Sequence, residues 1–183
     1  MTINRYERGG LPTKSQSDYN YVIAHEIAHQ WWYGVIGNDQ YNHAWQDEGL
    51  AEYSTLLFFK NNTQYGEDFE KLIEGANSSY KLFEEVYSRV QGEVDGKMDR
   101  AICDFSTEPE YVQCTYTKGV LLFNNINDMI GEKKFLNALK QYYKNFKFQN
   151  AKSADLIACF VKEGGTKIEK IFDSWLQGKV VFK

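Results

Sequence analysis

The sequence predicts a mainly α-helical fold in one domain that spans residues 1–183. Apolar side chains recur at the three- and four-residue spacing of amphipathic helices through most of the chain. Only 2 prolines are present, so few positions interrupt a helix. Apolar residues make up 43% of the composition, and a chain of this length can bury one hydrophobic core. Strands are expected only as short pieces near the two ends, over residues 2–7 and 180–183.

Three helices are predicted in the first half of the chain. The stretch "SDYNYVIAHEIAHQWWYG", residues 17–34, has apolar residues at helical spacing and ends in glycine. A polar connector, residues 38–42, leads to a second helix, "DEGLAEYSTLLFFK", over residues 47–60. The third helix covers residues 67–90, with a bend or break expected at Gly75.

The second half of the chain begins with an irregular segment. Residues 91–108 show no clear period, and loops of this length inside a compact domain are often functional. A helix is then predicted over residues 110–131, where a glycine ends it, and another over 132–146. Two further helices are expected over residues 154–165 and 166–178.

Charge, hydropathy and cysteine content exclude several classes of protein. The net charge of −4, with no basic run, gives no support for a nucleic-acid partner. The longest apolar stretch is interrupted by His25, Glu26 and His29, so it is too polar to span a membrane. Three widely spaced cysteines form no disulfide framework, which favours a reducing compartment such as the cytoplasm.

Two histidines and a glutamate lie within the first predicted helix, in the pattern His25-Glu26-x-x-His29. Residues four apart share one face of a helix, so both imidazoles can point at one zinc ion as neutral ligands. Glu26 is displaced around the helix and can lie beside the metal as a general base. Glu48, early in the second helix, offers a third ligand. Two histidines and one glutamate leave a fourth position for water, which is typical of catalytic zinc.

The alternative is a buried, hydrogen-bonded histidine pair with a purely structural role. Random placement at this composition gives the motif in about four chains in a thousand, and Glu48 completes a ligand set, so we favour zinc. Glu52 follows Glu48 by four residues and either orients a ligating histidine or is a solvated carboxylate. His43 is not expected to be a ligand, because the set is already full. The tryptophans expected to pack around the site are Trp31, Trp32 and Trp45.

The sequence resembles the aminopeptidase N-like zinc metallopeptidases of family M1, whose motif is His-Glu-x-x-His, eighteen residues, and Glu. Here 18 residues separate His29 from Glu48, and the flanks "HEIAHQWWYGVIGND" and "WQDEGLAEY" are also similar. The "YTKG" block that begins at Tyr116 looks like the catalytic tyrosine motif of that family. The resemblance extends over residues 19–177 and implies the helical lobe of a thermolysin-like metallopeptidase catalytic domain.

The resemblance also implies a role for each matched residue. His25, His29 and Glu48 would bind one zinc ion per chain. Glu26 would be the general base for the attacking water and would then pass the proton to the leaving amine. Tyr116 would donate its hydroxyl to the oxyanion, which suits a neutral phenol. The implied activity is zinc-dependent hydrolysis of peptide bonds by an aminopeptidase.

One part of the family pattern is missing. The exopeptidase motif Gly-Ala-Met-Glu-Asn, which holds the free amine of the substrate, has no match among the 24 residues before His25. The usual N-terminal β-domain has no counterpart either. The chain is then either a fragment of a longer peptidase or a minimal relative, and we favour a fragment whose partners are a peptide substrate and the rest of a longer polypeptide, including that β-domain. Two alternatives stay open: a metallo-endopeptidase, and a zinc-holding peptide-binding module that is inactive without its missing lobe.

Overall fold

A computed structural model describes residues 16–92 and 94–178, and it confirms the mainly helical prediction. The short strands expected at the two ends lie outside the described residues. None of the helices in the described ranges is long and apolar enough to cross a bilayer. The helices, labelled α1 to α8 in chain order, are Gln16–Ala28, Trp45–Asn61, Phe69–Gln91, Glu108–Val112, Lys118–Ile130, Glu132–Phe146, Ser153–Gly164 and Thr166–Leu176.

Three helices differ from the sequence-based prediction. The helix α1 ends at Ala28, and tight turns replace the expected last turn up to residue 34, with Trp31 N donating to Ala28 O at 3.0 Å. The helix α3 passes through Gly75 without a break, since a single exposed glycine destabilises a helix too little to interrupt it. The helix predicted over residues 110–131 is instead α4 and α5, joined by a π-helical turn over Gln113–Thr117.

The helix α2 lies at the centre of the fold and is buried on most of its sides. Its apolar side chains contact neighbouring helices on most sides, as expected for a helix inside a core. The fully buried ring of Phe123 on α5 joins this helix to the C-terminal helices. Its centroid lies 6.0 to 6.4 Å from the rings of Trp45, Tyr53, Phe135, Phe160 and Phe172. The aromatic rings therefore fix where α2 lies relative to α5, α6, α7 and α8.

Helices α2 and α5 cross in close contact through two glycines. A Cβ atom added at Gly119 would lie 2.7 Å from the Cα atom of Gly49. A Cβ atom added at Gly49 would lie 3.2 Å from Gly119 Cα and 3.3 Å from Phe123 Cε2. Only glycine at both positions allows this approach. The crossing brings Tyr116, three residues before Gly119, towards Glu48.

A short parallel sheet holds the connector between α1 and α2. Its strands are β1, Ile36–Gly37, and β2, Gln149–Asn150, with Ile36 opposite Gln149. Ala151 N donates to Gly37 O at 2.7 Å and extends the pairing beyond β2. Gln46 on α2 donates to the hydroxyl of Tyr142 at 2.8 Å. The start of α2 is therefore also attached to α6, the helix that directly precedes β2.

Gly119→Ala is expected to lower the free energy of unfolding by about 1–3 kcal/mol, because the new methyl group would overlap the backbone of α2. Urea denaturation with chelator present measures the change. Gly75→Ala is the matched control: nothing lies within 4 Å of its added Cβ atom. That variant should be more stable than the wild type by about 0.5–1 kcal/mol, as for a glycine replaced within a helix. Equal effects of the two variants would contradict the proposed close crossing.

Candidate metal and catalytic site

Three potential metal ligands meet where the end of α1 faces the start of α2. His25 Nε2 and His29 Nε2 lie 3.0 Å apart. Glu48 Oε2 lies 3.3 Å from His25 Nε2 and 3.2 Å from His29 Nε2. These residues are the group of possible metal ligands found within the described part of the chain. The structure therefore places these three candidate ligands, singled out in the sequence, next to one another.

The triangle formed by these three atoms is slightly smaller than that of a tetrahedral metal site. Ligand atoms about 2.0–2.2 Å from a tetrahedrally coordinated ion lie about 3.3–3.6 Å from one another. The three observed separations are 3.0 to 3.3 Å. Two nitrogens and one oxygen can occupy three corners of a tetrahedron, which leaves the fourth corner for water or substrate.

Hydrogen bonding determines which nitrogen of His29 faces the site. The backbone carbonyl of Trp32 lies 3.1 Å from His29 Nδ1 and can only accept a hydrogen bond. His29 Nδ1 therefore carries a proton, and in the neutral ring Nε2 keeps the lone pair that a metal ion would bind.

His25 has a carboxylate on the side of its ring away from the other ligands. Glu52 Oε1 lies 3.8 Å from His25 Nδ1, which has no hydrogen-bond partner among the described residues. The other carboxylate oxygen of Glu52 accepts a hydrogen bond from the hydroxyl of Tyr21. Glu52 is buried, so it is not the solvated carboxylate of the alternative reading.

Glu48 and His29 form a partly buried ion pair. Burial alone would raise the pKa of Glu48, but hydrogen bonds from His25, His29 and Tyr116 lower it to about 2. Burial alone would lower the pKa of His29, but its hydrogen bond with Glu48 and the negative charge of that carboxylate raise it to about 9. Near neutral pH the His29 ring therefore carries a proton that a metal ion would have to displace.

Asp47 is a buried acid beside the site that the sequence analysis did not identify. Its side chain is 2% exposed, and Oδ2 lies 4.0 Å from His29 Nδ1. It accepts hydrogen bonds from Asn38 at 2.8 Å and from Gln40 at 2.6 Å. Burial raises the pKa of Asp47. The only signal for Asp47 in the sequence was its position directly before Glu48. That position does not indicate whether the side chain is buried.

Tyr116 lies next to the ligand triangle, within the π-helical turn. Its ring centroid is 6.1 Å from that of His25, and only 4% of the residue is exposed. Its hydroxyl donates a hydrogen bond to Glu48, and burial raises its pKa. Turns of this type often occur at functional sites. Glu26, by contrast, is exposed on α1, beside the buried His25.

The other residues singled out in the sequence lie outside the triangle. His43 is not a member of the ligand group and lies 2.6 Å from Asp99 Oδ1 through its Nδ1 atom. Trp45 is fully buried and Trp32 stacks on the ring of Tyr142, but Trp31 is 48% exposed. The expectation that Trp31 packs in the core is therefore wrong, because α1 ends before it and its side chain lies on the surface.

Comparison with known proteins gives a consistent result. The sequence pattern of the Peptidase family M1 domain matches residues 7–175. Human endoplasmic reticulum aminopeptidase 2 is 31% identical over 158 residues, which is 79% of this chain and 15% of the human protein. Aminopeptidase M1 of Arabidopsis thaliana is 28% identical over 167 residues, which is 86% of this chain and 17% of the plant protein.

Solved structures have the same fold. A crystal structure of an M1 zinc metallopeptidase from Deinococcus radiodurans matches with a TM-score of 0.65 and 23% identity. The match covers 88% of this chain and 33% of the bacterial one. This chain therefore spans about a sixth of the length of the curated relatives and about a third of that solved chain.

Asp47→Asn is expected to lower the free energy of unfolding by about 1–3 kcal/mol, because its amide would face two donors with only one acceptor. Chemical denaturation with chelator present measures the change without any contribution from metal. Asp128→Asn, an exposed change on α5, is the control and should unfold at the wild-type denaturant concentration. Wild-type stability of Asp47→Asn would show that Asn38 and Gln40 do not depend on the carboxylate.

Proposed function

This chain belongs to peptidase family M1, and we propose that it carries the zinc-binding and catalytic helices of an aminopeptidase. The observation that supports this most directly is the ligand triangle of His25, His29 and Glu48. The relatives named above are aminopeptidases of much greater length, so the activity belongs to the intact natural polypeptide.

Zinc is the ion that fits the donor set best. Two imidazole nitrogens and one carboxylate oxygen are ligands that zinc takes in catalytic sites, and the atom separations suit its tetrahedral geometry. Although burial lowers the pKa of His29, the Glu48 carboxylate raises it to about 9, so a positive charge is stabilised at this place. When bound, zinc supplies Lewis-acid polarisation of a carbonyl group and activation of water.

Two residues then have chemical roles in peptide hydrolysis. Glu26, exposed beside the site, takes the proton of the attacking water and delivers it to the leaving amine. Tyr116 donates its hydroxyl to the carbonyl oxygen as negative charge develops there. Burial raises the pKa of Tyr116, so it is a neutral donor under physiological conditions. Glu52 is a positioning residue, since its carboxylate lies 3.8 Å from His25 Nδ1 and can orient the ring.

The amine-binding residues of an aminopeptidase are expected elsewhere in the intact polypeptide. The described residues bring His25, His29 and Glu48 together near Tyr116 but contain no match to the Gly-Ala-Met-Glu-Asn motif. Hydrolysis of free-amine peptides but not of acetylated ones would support an aminopeptidase. Equal cleavage of both would favour an endopeptidase, and zinc binding without turnover would favour a peptide-binding module.

The chain is expected to bind one zinc ion and to release about one proton as it does so. The reason is that His29, with a pKa of about 9, is protonated near neutral pH in the metal-free protein. Calorimetry in buffers of different ionisation enthalpy measures the proton release, and zinc affinity should rise with pH up to about 9. Glu48→Gln should weaken binding by more than the 10–100-fold typical of residues outside the ligand set. Glu85→Gln, on the exposed side of α3, is the control that should bind zinc normally. A wild-type chain that binds no zinc would refute the proposal.

Glu26→Gln in the intact natural polypeptide is expected to retain zinc and to lose about 10²–10⁴-fold in kcat, because the amide cannot accept the proton of water. Metal analysis and turnover of a free-amine peptide are measured on the same preparation. Glu74→Gln, an exposed acid on α3, is the matched control and should keep full activity. Substantial turnover by Glu26→Gln would remove this residue from its proposed role.

A further inference from the structure

We propose that Tyr33 is a positioning residue for His29, acting through a strained backbone conformation that holds the Trp32 carbonyl against the imidazole. The inference rests on the proposed metal site and adds a determinant of its geometry that lies outside the ligand motif. Neither the side chain of Tyr33 nor that of Trp32 would contact the metal.

The backbone of Tyr33 is in an unusual conformation. Its φ angle is 111°, and the only other described non-glycine residue with a positive φ is Phe148. Such a conformation is costly for an aromatic residue and persists only where the surrounding structure enforces it. The side chain of Tyr33 is 49% exposed, so packing of the ring does not explain the conformation. The explanation must lie in the hydrogen bonds of the backbone.

The peptide group between Trp32 and Tyr33 has a hydrogen bond at each end. Tyr33 N donates to Ile36 O at 2.9 Å. The N–H and C=O bonds of a trans peptide point in opposite directions, so this hydrogen bond also fixes the direction of the Trp32 carbonyl. That carbonyl lies 3.1 Å from His29 Nδ1. One peptide plane therefore connects the turn after α1 to the orientation of a proposed zinc ligand.

The positive φ at Tyr33 lets the chain fold back on the end of α1. Gly34 N donates to His29 O at 2.8 Å, and Ile36 N donates to Trp31 O at 3.0 Å. A Cβ atom added at Gly34 would lie only 2.9 Å from Gln30 O, so the turn lies directly against the last residues of the helix. The residues after Tyr33 thus bond back to the end of α1 next to His29.

The same turn is attached to the helix that carries Glu48. The indole nitrogen of Trp32 donates to Ser54 Oγ on α2 at 2.8 Å, and its ring stacks on Tyr142 with centroids 6.2 Å apart. The carbonyl that orients His29 is therefore held relative to α2 as well as to α1. This arrangement sets the His29 ring relative to the Glu48 carboxylate.

A second acceptor near His29 shows why the turn matters. Asp47 Oδ2 lies 4.0 Å from His29 Nδ1, against 3.1 Å for the Trp32 carbonyl. A charged acceptor forms the stronger hydrogen bond when it is close enough, so a ring freed from the carbonyl would turn towards Asp47. That rotation would move Nε2 away from the ligand triangle.

The test compares three variants for zinc affinity, measured by competition with a fluorescent chelator. Tyr33→Val disfavours a positive φ strongly, so zinc affinity should fall at least about 10-fold. Tyr33→Gly adopts the same φ without strain, so it should retain wild-type affinity and raise the Tm of the metal-free protein. Gly131→Val introduces comparable strain at a position of φ 82° between α5 and α6, and should lower the Tm but leave zinc affinity unchanged.

The imidazole ¹H–¹⁵N spectrum of the zinc-loaded chain adds a readout that general destabilisation would not change. A hydrogen-bonded Nδ1–H of His29 should be present in the wild type and in Tyr33→Gly, and shifted or lost in Tyr33→Val. Normal zinc affinity in Tyr33→Val would overturn the inference while leaving the proposed zinc site intact. A lower metal-free Tm in Tyr33→Gly would overturn it even if the valine variant does not fold. Absence of zinc binding by the wild type would overturn both proposals.

Discussion

Three polar atoms, the Nε2 atoms of His25 and His29 and one oxygen of Glu48, are held within 3.0 to 3.3 Å of one another. Their lone pairs would repel at such distances unless a positive charge lay among them, whether a proton or a metal ion. Their convergence is therefore a constraint that the rest of the fold has to maintain. The raised pKa of His29 and the lowered pKa of Glu48 are the electrostatic consequence.

The burial of α2 is what maintains this constraint. Its core contacts and its close crossing with α5 at Gly49 and Gly119 leave the helix no freedom to move away from α1. Burial also has a cost, because the first two turns of α2 contain three acidic residues. Hydrogen bonds offset that cost: Asn38 and Gln40 donate to Asp47, and Tyr21 donates to Glu52. These hydrogen bonds thus help an acidic helix to lie at the centre of the fold.

Much of the fold and part of the site followed from local patterns. The helix over residues 132–146 has the predicted bounds, and the candidate ligands that lie together are those that the spacing indicated. Tyr116 was found only through the family resemblance, because one tyrosine among 13 has no local signal. The early end of α1, the exposure of Trp31 and the role of the Trp32 carbonyl were missed, since tertiary hydrogen bonds decide them.

The sequence by itself determined where most of the helices lie, because helical periodicity is a property of neighbouring residues. It also determined that His25 and His29 could bind one metal ion, because a four-residue spacing places them on one face of a helix. Only the tertiary structure decided how α1, α2 and the π-helical turn meet, since that depends on packing between residues far apart in the chain. It also decided the conformation of Tyr33 and the burial of Asp47, because backbone strain and desolvation arise from surroundings that no local pattern records.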